Sequence, residues 1–199
     1  MKKIVYVTGN KAKIDSARMY LEPLGIQVDQ VKMDVIEIQA DTTEEIAAYS
    51  AKYASDLLKC DVLKNDSGLY IEALNGFPGP YTHYVEDTLG EDKVLKLLEN
   101  ENNRKAEFIE VFAYCKYGSE PVLFKSVTKG IIDYKKSGEY GWSWDFIFIP
   151  EGTDKTLGCF QDEERYKLWN SDGLKALAAY LKEDTNDWFK RKTKRSISK

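Results

Sequence analysis

The stretch Lys2 to Lys13, KKIVYVTGNKAK, narrows the possible folds more than any other in this chain. Ile4 to Val7 is a short β-branched and aromatic run that ends at Thr8-Gly9-Asn10, which predicts a buried strand entering a turn. Asn10 is a good helix cap, Ile14, Ala17 and Leu21 share one helical face, and Pro23 with Gly25 stops the pattern. Strand, glycine turn and helix in immediate succession are the start of an α/β sheet.

The rest of the chain extends that sheet. Ile26 to Val31 and Val35 to Ile38 read as strands, and Thr42-Thr-Glu-Glu45 forms a capping box ahead of a helix carrying Ile46, Tyr53, Ala54 and Leu57. Val62-Leu63 begins a strand running into KNDSGLYIEAL. The loop NGFPGPY then places two glycines and two prolines within five residues, which forbids regular structure. Val94, Leu97 and Leu98 mark a helix, Phe108 to Tyr117 and Val122 to Tyr134 alternate as hairpin strands, and WDFIFIPEG reads as a further strand. Helices alternate with strands early and hairpins dominate the middle, so the expected fold is α/β with a mixed, strongly twisted sheet and flanking helices.

A chain of 199 residues with 33 acids against 29 bases is an ordinary, mildly acidic globular composition. No nucleic-acid surface is expected from it. One domain over 1–185 is expected, followed by a basic tail over 186–199 too poor in apolar residues to pack. Cys60, Cys115 and Cys159 lack disulfide or zinc spacing, which suits a reducing, cytoplasmic setting. No apolar run reaches the ~18 residues needed to span a bilayer, so no membrane partner is expected.

Several stretches carry chemistry. In TGNKAK, Thr8, Asn10, exposed amides at a helix start and Lys13 one turn inside suit a phosphate chain, although such a stretch taken alone is more often a capped turn with a surface lysine. In NDSGL, Asp66 at a strand end precedes the small turn Ser67-Gly68, and Glu37 lies 29 residues earlier near another strand end. Two such carboxylates suit Mg2+, which takes oxygen ligands together with substrate phosphates, and one of them can serve an attacking water. Their plain alternative is a turn residue and a solvated edge charge. A serine nucleophile at Ser67 has no GxSxG around it, and His83 is the only histidine. Trp144 and Asp145 in GEYGWSWDFIFIPEG suit base stacking and a ribose or lysine contact, and Lys167 stands one turn before Ser171 and Asp172 at the last helix start.

In order and spacing these stretches resemble the inosine triphosphate pyrophosphatase family from about Lys2 to Leu181. TGNKAK is similar to its T-x-N-x-x-K, EIQA to its short acidic strand, NDSGL to its acidic pair plus SGL, and LNGFPGPY to its PGxY loop. GWSWDFIFIPEG is similar to its GWGYDPIFxPxG, and Lys167 with Ser171 to the lysine and serine of K-x-x-x-S-H-R. The resemblance implies two lobes around a central cleft, a homodimer, and Mg2+-dependent cleavage of a nucleoside triphosphate into monophosphate and pyrophosphate. Carried over residue by residue, Thr8, Asn10 and Lys13 hold the triphosphate, with Ser67 beside them. Glu37 and Asp66 serve the metal and the water, Trp144 and Asp145 the nucleoside, and Lys167 and Ser171 complete the pocket.

The departures bear on substrate and catalysis. Asn65 stands where the family has a second acid, and Ser50 where an ungapped count expects a helix lysine; Lys52, two residues on, points about 200° away. Asp172-Gly173 replaces His-Arg, so an acceptor stands where donors meet the six-position oxygen of the base. Either Asp172 selects a base edge with N–H donors, such as the N1–H and amino group of guanine, or it only favours the helix end. The retained acids and lysines favour an enzyme with shifted base preference. Asn65 and Ser50 favour a catalytically weakened nucleotide-binding protein acting as a sensor or interaction module.

Overall fold

The computed structural model describes residues 2–183, so the basic tail lies outside the described residues. Strand β1 (Lys2–Val7) leads through the glycine turn into α1 (Lys11–Leu21), whose Asn10 side chain accepts hydrogen bonds from the Ala12 and Lys13 amides. Strand β2 (Ile26–Val31) pairs parallel with β1, and α2 (Thr43–Leu58) begins at the Thr42/Glu45 capping box. Then come β3 (Val62–Ile71), the two-residue β4 (Pro78–Gly79), and helices α3 (Thr82–Thr88) and α4 (Gly90–Leu97). The hairpin β5 (Lys105–Cys115) and β6 (Val122–Ile132) is followed by β7 (Phe148–Pro150), α5 (Asp162–Leu168) and a helix α6 over 172–183.

One sheet runs β2-β1-β3-β5-β6-β7, with β4 on the side of β3. Only β1 pairs parallel with its neighbours; the remaining ladders are antiparallel, so the sheet is mixed, as expected. The long strands β3, β5 and β6 carry a core at each end of one face. At one end Leu63, Phe112 and Tyr114 pack against α1 and α6 through Leu21 and Leu177. At the other, Leu69, Ile71 and Ile132 pack with Leu98 and Trp144. Between them the register places Asn65, Ser67, Glu110, Ser126 and Thr128 on the same face, a polar band separating two apolar clusters. The opposite face of these strands is covered by α2, through Ala47 and Ala51 on Val111 and Ala113.

Four expectations are corrected. Asp66 is not at a strand end and Ser67-Gly68 is not a turn: β3 runs unbroken from Val62 to Ile71, with Asp66, Ser67 and Gly68 paired to Val111, Glu110 and Ile109 of β5. Val35 to Ile38 is not a strand: the chain has no regular structure over 32–40. The Thr8 amide binds the Val31 carbonyl and β1 then turns away, so nothing is left for a longer β2 to pair with. WDFIFIPEG becomes strand only at Phe148, because Ser143–Phe146 is a 3-10 turn with Ser143 at φ 53° and Gly141 at φ 79°. Asp145 therefore sits in a turn and not at a strand start. Lys167 ends α5 while Ser171 precedes α6, and the extended Trp169 breaks the helical path between them.

Candidate active site

The glycine turn holds its own side chains in place. The Asn10 backbone amide donates to Thr8 Oγ1 at 3.1 Å, and the Asn10 side-chain oxygen Oδ1 accepts from the Ala12 amide at 2.8 Å. Their oxygens are thereby committed, which leaves the Thr8 hydroxyl hydrogen and the Asn10 NH2 as the donors for a ligand. A methyl group on Gly9 would meet nothing within 4 Å, so the protein itself does not require glycine there. The Lys13 ammonium has no ion-pair partner among the described residues.

Neighbouring residues of β3 work on opposite faces of the sheet. Asn65, on the polar band, donates from Nδ2 to Glu110 Oε1 at 2.7 Å. Asp66 points toward the α2 side, where Lys64 approaches Glu37 at 3.5 Å. Asp66 Oδ2 is buried and has no hydrogen-bond partner among the described residues. Burial pushes the Asp66 carboxyl up to about 6, the nearby Glu37 adds to this, and Lys13 and Lys64 oppose it. Burial likewise raises Glu110, against the pull of Lys13 and Asn65. Lys13 thus acts on acids of both faces from the start of α1. Ser67, next on β3, is exposed.

Mg2+ suits this arrangement. An orphaned buried carboxylate oxygen on Asp66 and an exposed acid at Glu37 are a two-carboxylate set of the kind that Mg2+ completes with water and substrate phosphates. No group of three or more acids, histidines or cysteines is preassembled for a metal among the described residues.

On the nucleoside side, Trp144 is 5% exposed and lies in the second core, with its indole N–H unpartnered among the described residues. Asp145 is buried: it accepts from the Trp142 amide at 3.2 Å and faces Arg165, which also binds Asp162 at 2.6 Å. Burial raises its pKa, and the Trp142 amide and Arg165 offset part of that. Trp142, not Trp144, is the exposed ring of this loop, at 58%. Lys167 is exposed and Ser171 half-buried. Asp172 is exposed and accepts from Asn170 Nδ2 at 3.0 Å and Lys175 Nζ at 3.3 Å, which holds its pKa down. The start of α6 is pressed against β6: the Gly173 amide donates to Ser126 Oγ at 2.9 Å, and a Cβ there would lie 3.0 Å from the Phe124 carbonyl. Gly173 is thus explained by close approach alone.

Sequence reasoning missed Lys64, Glu110, Arg165 and Trp142. Lys64 and Glu110 read as ordinary charges within alternating strands, and only the register and the path of 32–40 bring them to Glu37 and Asn65. Trp142 had a signal, a tryptophan next to a glycine, but Trp144 drew the stacking role. Lys52 does point elsewhere, with both Asp56 oxygens within 2.8 Å of its ammonium, and Ser50 is buried with its hydroxyl unpartnered among the described residues. An open cavity of about 710 Å3 beside Tyr70, Glu107, Lys129 and Pro150 contains none of the expected site residues.

The Ham1 family pattern matches residues 4–182. The dITP/XTP pyrophosphatase of Methanopyrus kandleri is 47% identical over 188 residues, 94% of this chain and 96% of its own. That of Methanosarcina acetivorans is 43% identical over 95% of this chain and 98% of its own. The solved Ham1 protein of Staphylococcus aureus superposes with a TM-score of 0.82 at 30% identity, over 92% of this chain and all of the other.

Proposed function

The chain belongs to the Ham1 family, and from that premise we propose that it hydrolyses nucleoside triphosphates to monophosphate and pyrophosphate with Mg2+. The observation that carries this reading is the buried, unpartnered Asp66 oxygen on β3, whose carboxyl feels the charges of Glu37, Lys13 and Lys64. Several relatives bear the name dITP/XTP pyrophosphatase, which supports the same reaction class.

Glu37 and Asp66 would hold the cation, which when bound neutralises charge along the triphosphate. The turn amides, the Thr8 and Asn10 donors and Lys13 bind and orient the phosphate chain, with Lys167 adding positive charge. Water attacks the α-phosphorus, its oxygen bonds to phosphorus as the bond to the bridging oxygen breaks, and the proton passes to the Asp66 carboxylate. A carboxylate oxygen left free of the cation is a base suited to accept it. Pyrophosphate leaves with the bonding electron pair.

For the base, Trp142 offers an exposed stacking face and Asp172 an acceptor. The acceptor suits the N1–H shared by six-oxo purines, and guanine's amino group supplies a second donor, so the preference extends beyond inosine and xanthosine toward guanine nucleotides. The assembly proposed is a homodimer working in the cytoplasm, which sedimentation and fractionation test. No helix among the described residues is long and apolar enough to cross a membrane.

The decisive assay incubates the protein with Mg2+ and a panel of dITP, XTP, dGTP and dATP and identifies the products. Monophosphate plus pyrophosphate from six-oxo purines is expected. Orthophosphate as the sole product overturns the reaction type, and binding without turnover supports the sensor reading. A base ranking unchanged by Asp172→Ala reduces Asp172 to a helix-end charge.

A further inference from the structure

Lysines on the α2 side of the sheet are held unequally. Lys52 lies 2.6 and 2.8 Å from the two oxygens of Asp56, and Lys125 lies 2.7 Å from Glu44. Lys64 touches a single oxygen of Glu37 at 3.5 Å. Burial sharpens the contrast: the Lys64 side chain is only 15% exposed, while Glu37 is 58% exposed. A largely covered side chain is thus held by one loose, exposed contact with an acid that is open to solvent. Two positions along the same strand face stands Asp66, whose buried oxygen has no partner among the described residues. As a device for stability this is poor, because a long, part-buried side chain is ordered for a contact that is longer and weaker than those of its neighbours.

We propose that Lys64 is a displaceable counter-ion and a catalytic residue. Its ammonium holds Glu37 here; were Glu37 to hold a divalent cation, the Lys64 ammonium would be released to the phosphate oxygens, where it neutralises charge developing on the departing pyrophosphate. The inference rests on the pyrophosphatase reading and adds a residue to it. The cation and Lys64 compete for one carboxylate before substrate binds, and they cooperate on one polyphosphate afterwards. Removing the lysine therefore has opposite effects on the two stages, which a purely structural residue does not produce.

The test uses the full chain and Lys64→Met, with Lys64→Gln as a second variant that keeps a polar end, and circular dichroism to confirm folding of each. Mn2+ alone, without nucleotide, is titrated by its electron paramagnetic resonance signal. Both variants are expected to bind Mn2+ about five-fold more tightly than the wild type, the scale of losing one part-exposed ion pair. Their kcat for pyrophosphate release with Mg2+ is expected to fall about 100-fold, the scale of losing one charge stabiliser of a transition state. Unchanged or weaker Mn2+ binding in the folded variants overturns the proposal, as does an unchanged kcat. A wild type that releases no pyrophosphate overturns the function reading instead, and the Mn2+ titration still reports whether Lys64 competes for Glu37.

Discussion

At the scale of single residues, Asp66 titrates near 6 where a free aspartate titrates at 3.8, chiefly because it is buried. The folded value lies above the unfolded one, so the native state holds the proton more tightly. The stability this confers is complete below the unfolded value and is lost as pH rises through about 6. The loss is on the order of 3 kcal/mol, and Asp66→Asn removes it. The ligand-free variant is therefore expected to unfold at higher urea than the wild type at about pH 8 and at nearly the same urea at about pH 3.5. Its pyrophosphate release is expected to fall at least ~1,000-fold, which makes Asp66 a site where activity is kept at the expense of stability. Glu110 follows the same sign by the same cause. In Glu110→Gln the side-chain oxygen still accepts from Asn65 while the buried charge is gone, so its melting-temperature advantage over wild type should widen as pH rises above the ordinary glutamate range. A gap that stays constant with pH would show that Glu110 carries no ionisation penalty.

At the scale of elements, the turn at Ser143–Phe146 stores strain that one substitution releases. Ser143 occupies the left-handed region at φ 53°, is buried, and has a hydroxyl with no partner among the described residues. Ser143→Gly is expected to stabilise the protein by about 1 kcal/mol in urea unfolding, since glycine enters that region without penalty. The start of α1 responds in the other direction: Asn10→Ala is expected to cost about 1 kcal/mol because its side chain caps the helix, and, on the proposed phosphate role of its NH2, to raise KM for the triphosphate. Helices α1 and α2 were legible in the sequence because their caps and apolar spacing are local. Val35 to Ile38 misled for the converse reason: it alternates like a strand, yet pairing depends on whether β1 is still alongside, and the turn after Val7 removes it.

At the scale of the whole molecule, two apolar clusters share the long strands and are separated by a polar band. Leu177 belongs to one and Leu98 to the other, both fully buried. Each Leu→Ala change is expected to cost about 2–5 kcal/mol, and the double variant to cost their sum within about 0.5 kcal/mol, as denaturant titration would report. A large departure from additivity would mean that the clusters behave as one. The order of the motifs along the chain revealed the class of site, but not which charges meet in it. Glu37 and Lys64 are 27 residues apart and Asn65 and Glu110 are 45 apart, so their meetings depend on sheet order and register. The segment over 32–40 that carries Glu37 belongs to no ladder. A residue gained or lost there shifts no strand's register, and lengthening such a loop costs only fractions of a kcal/mol. Evolution can therefore move this acid in small steps while the scaffold around it stays fixed, which makes the segment the natural place for lineages, or a designer, to adjust the site.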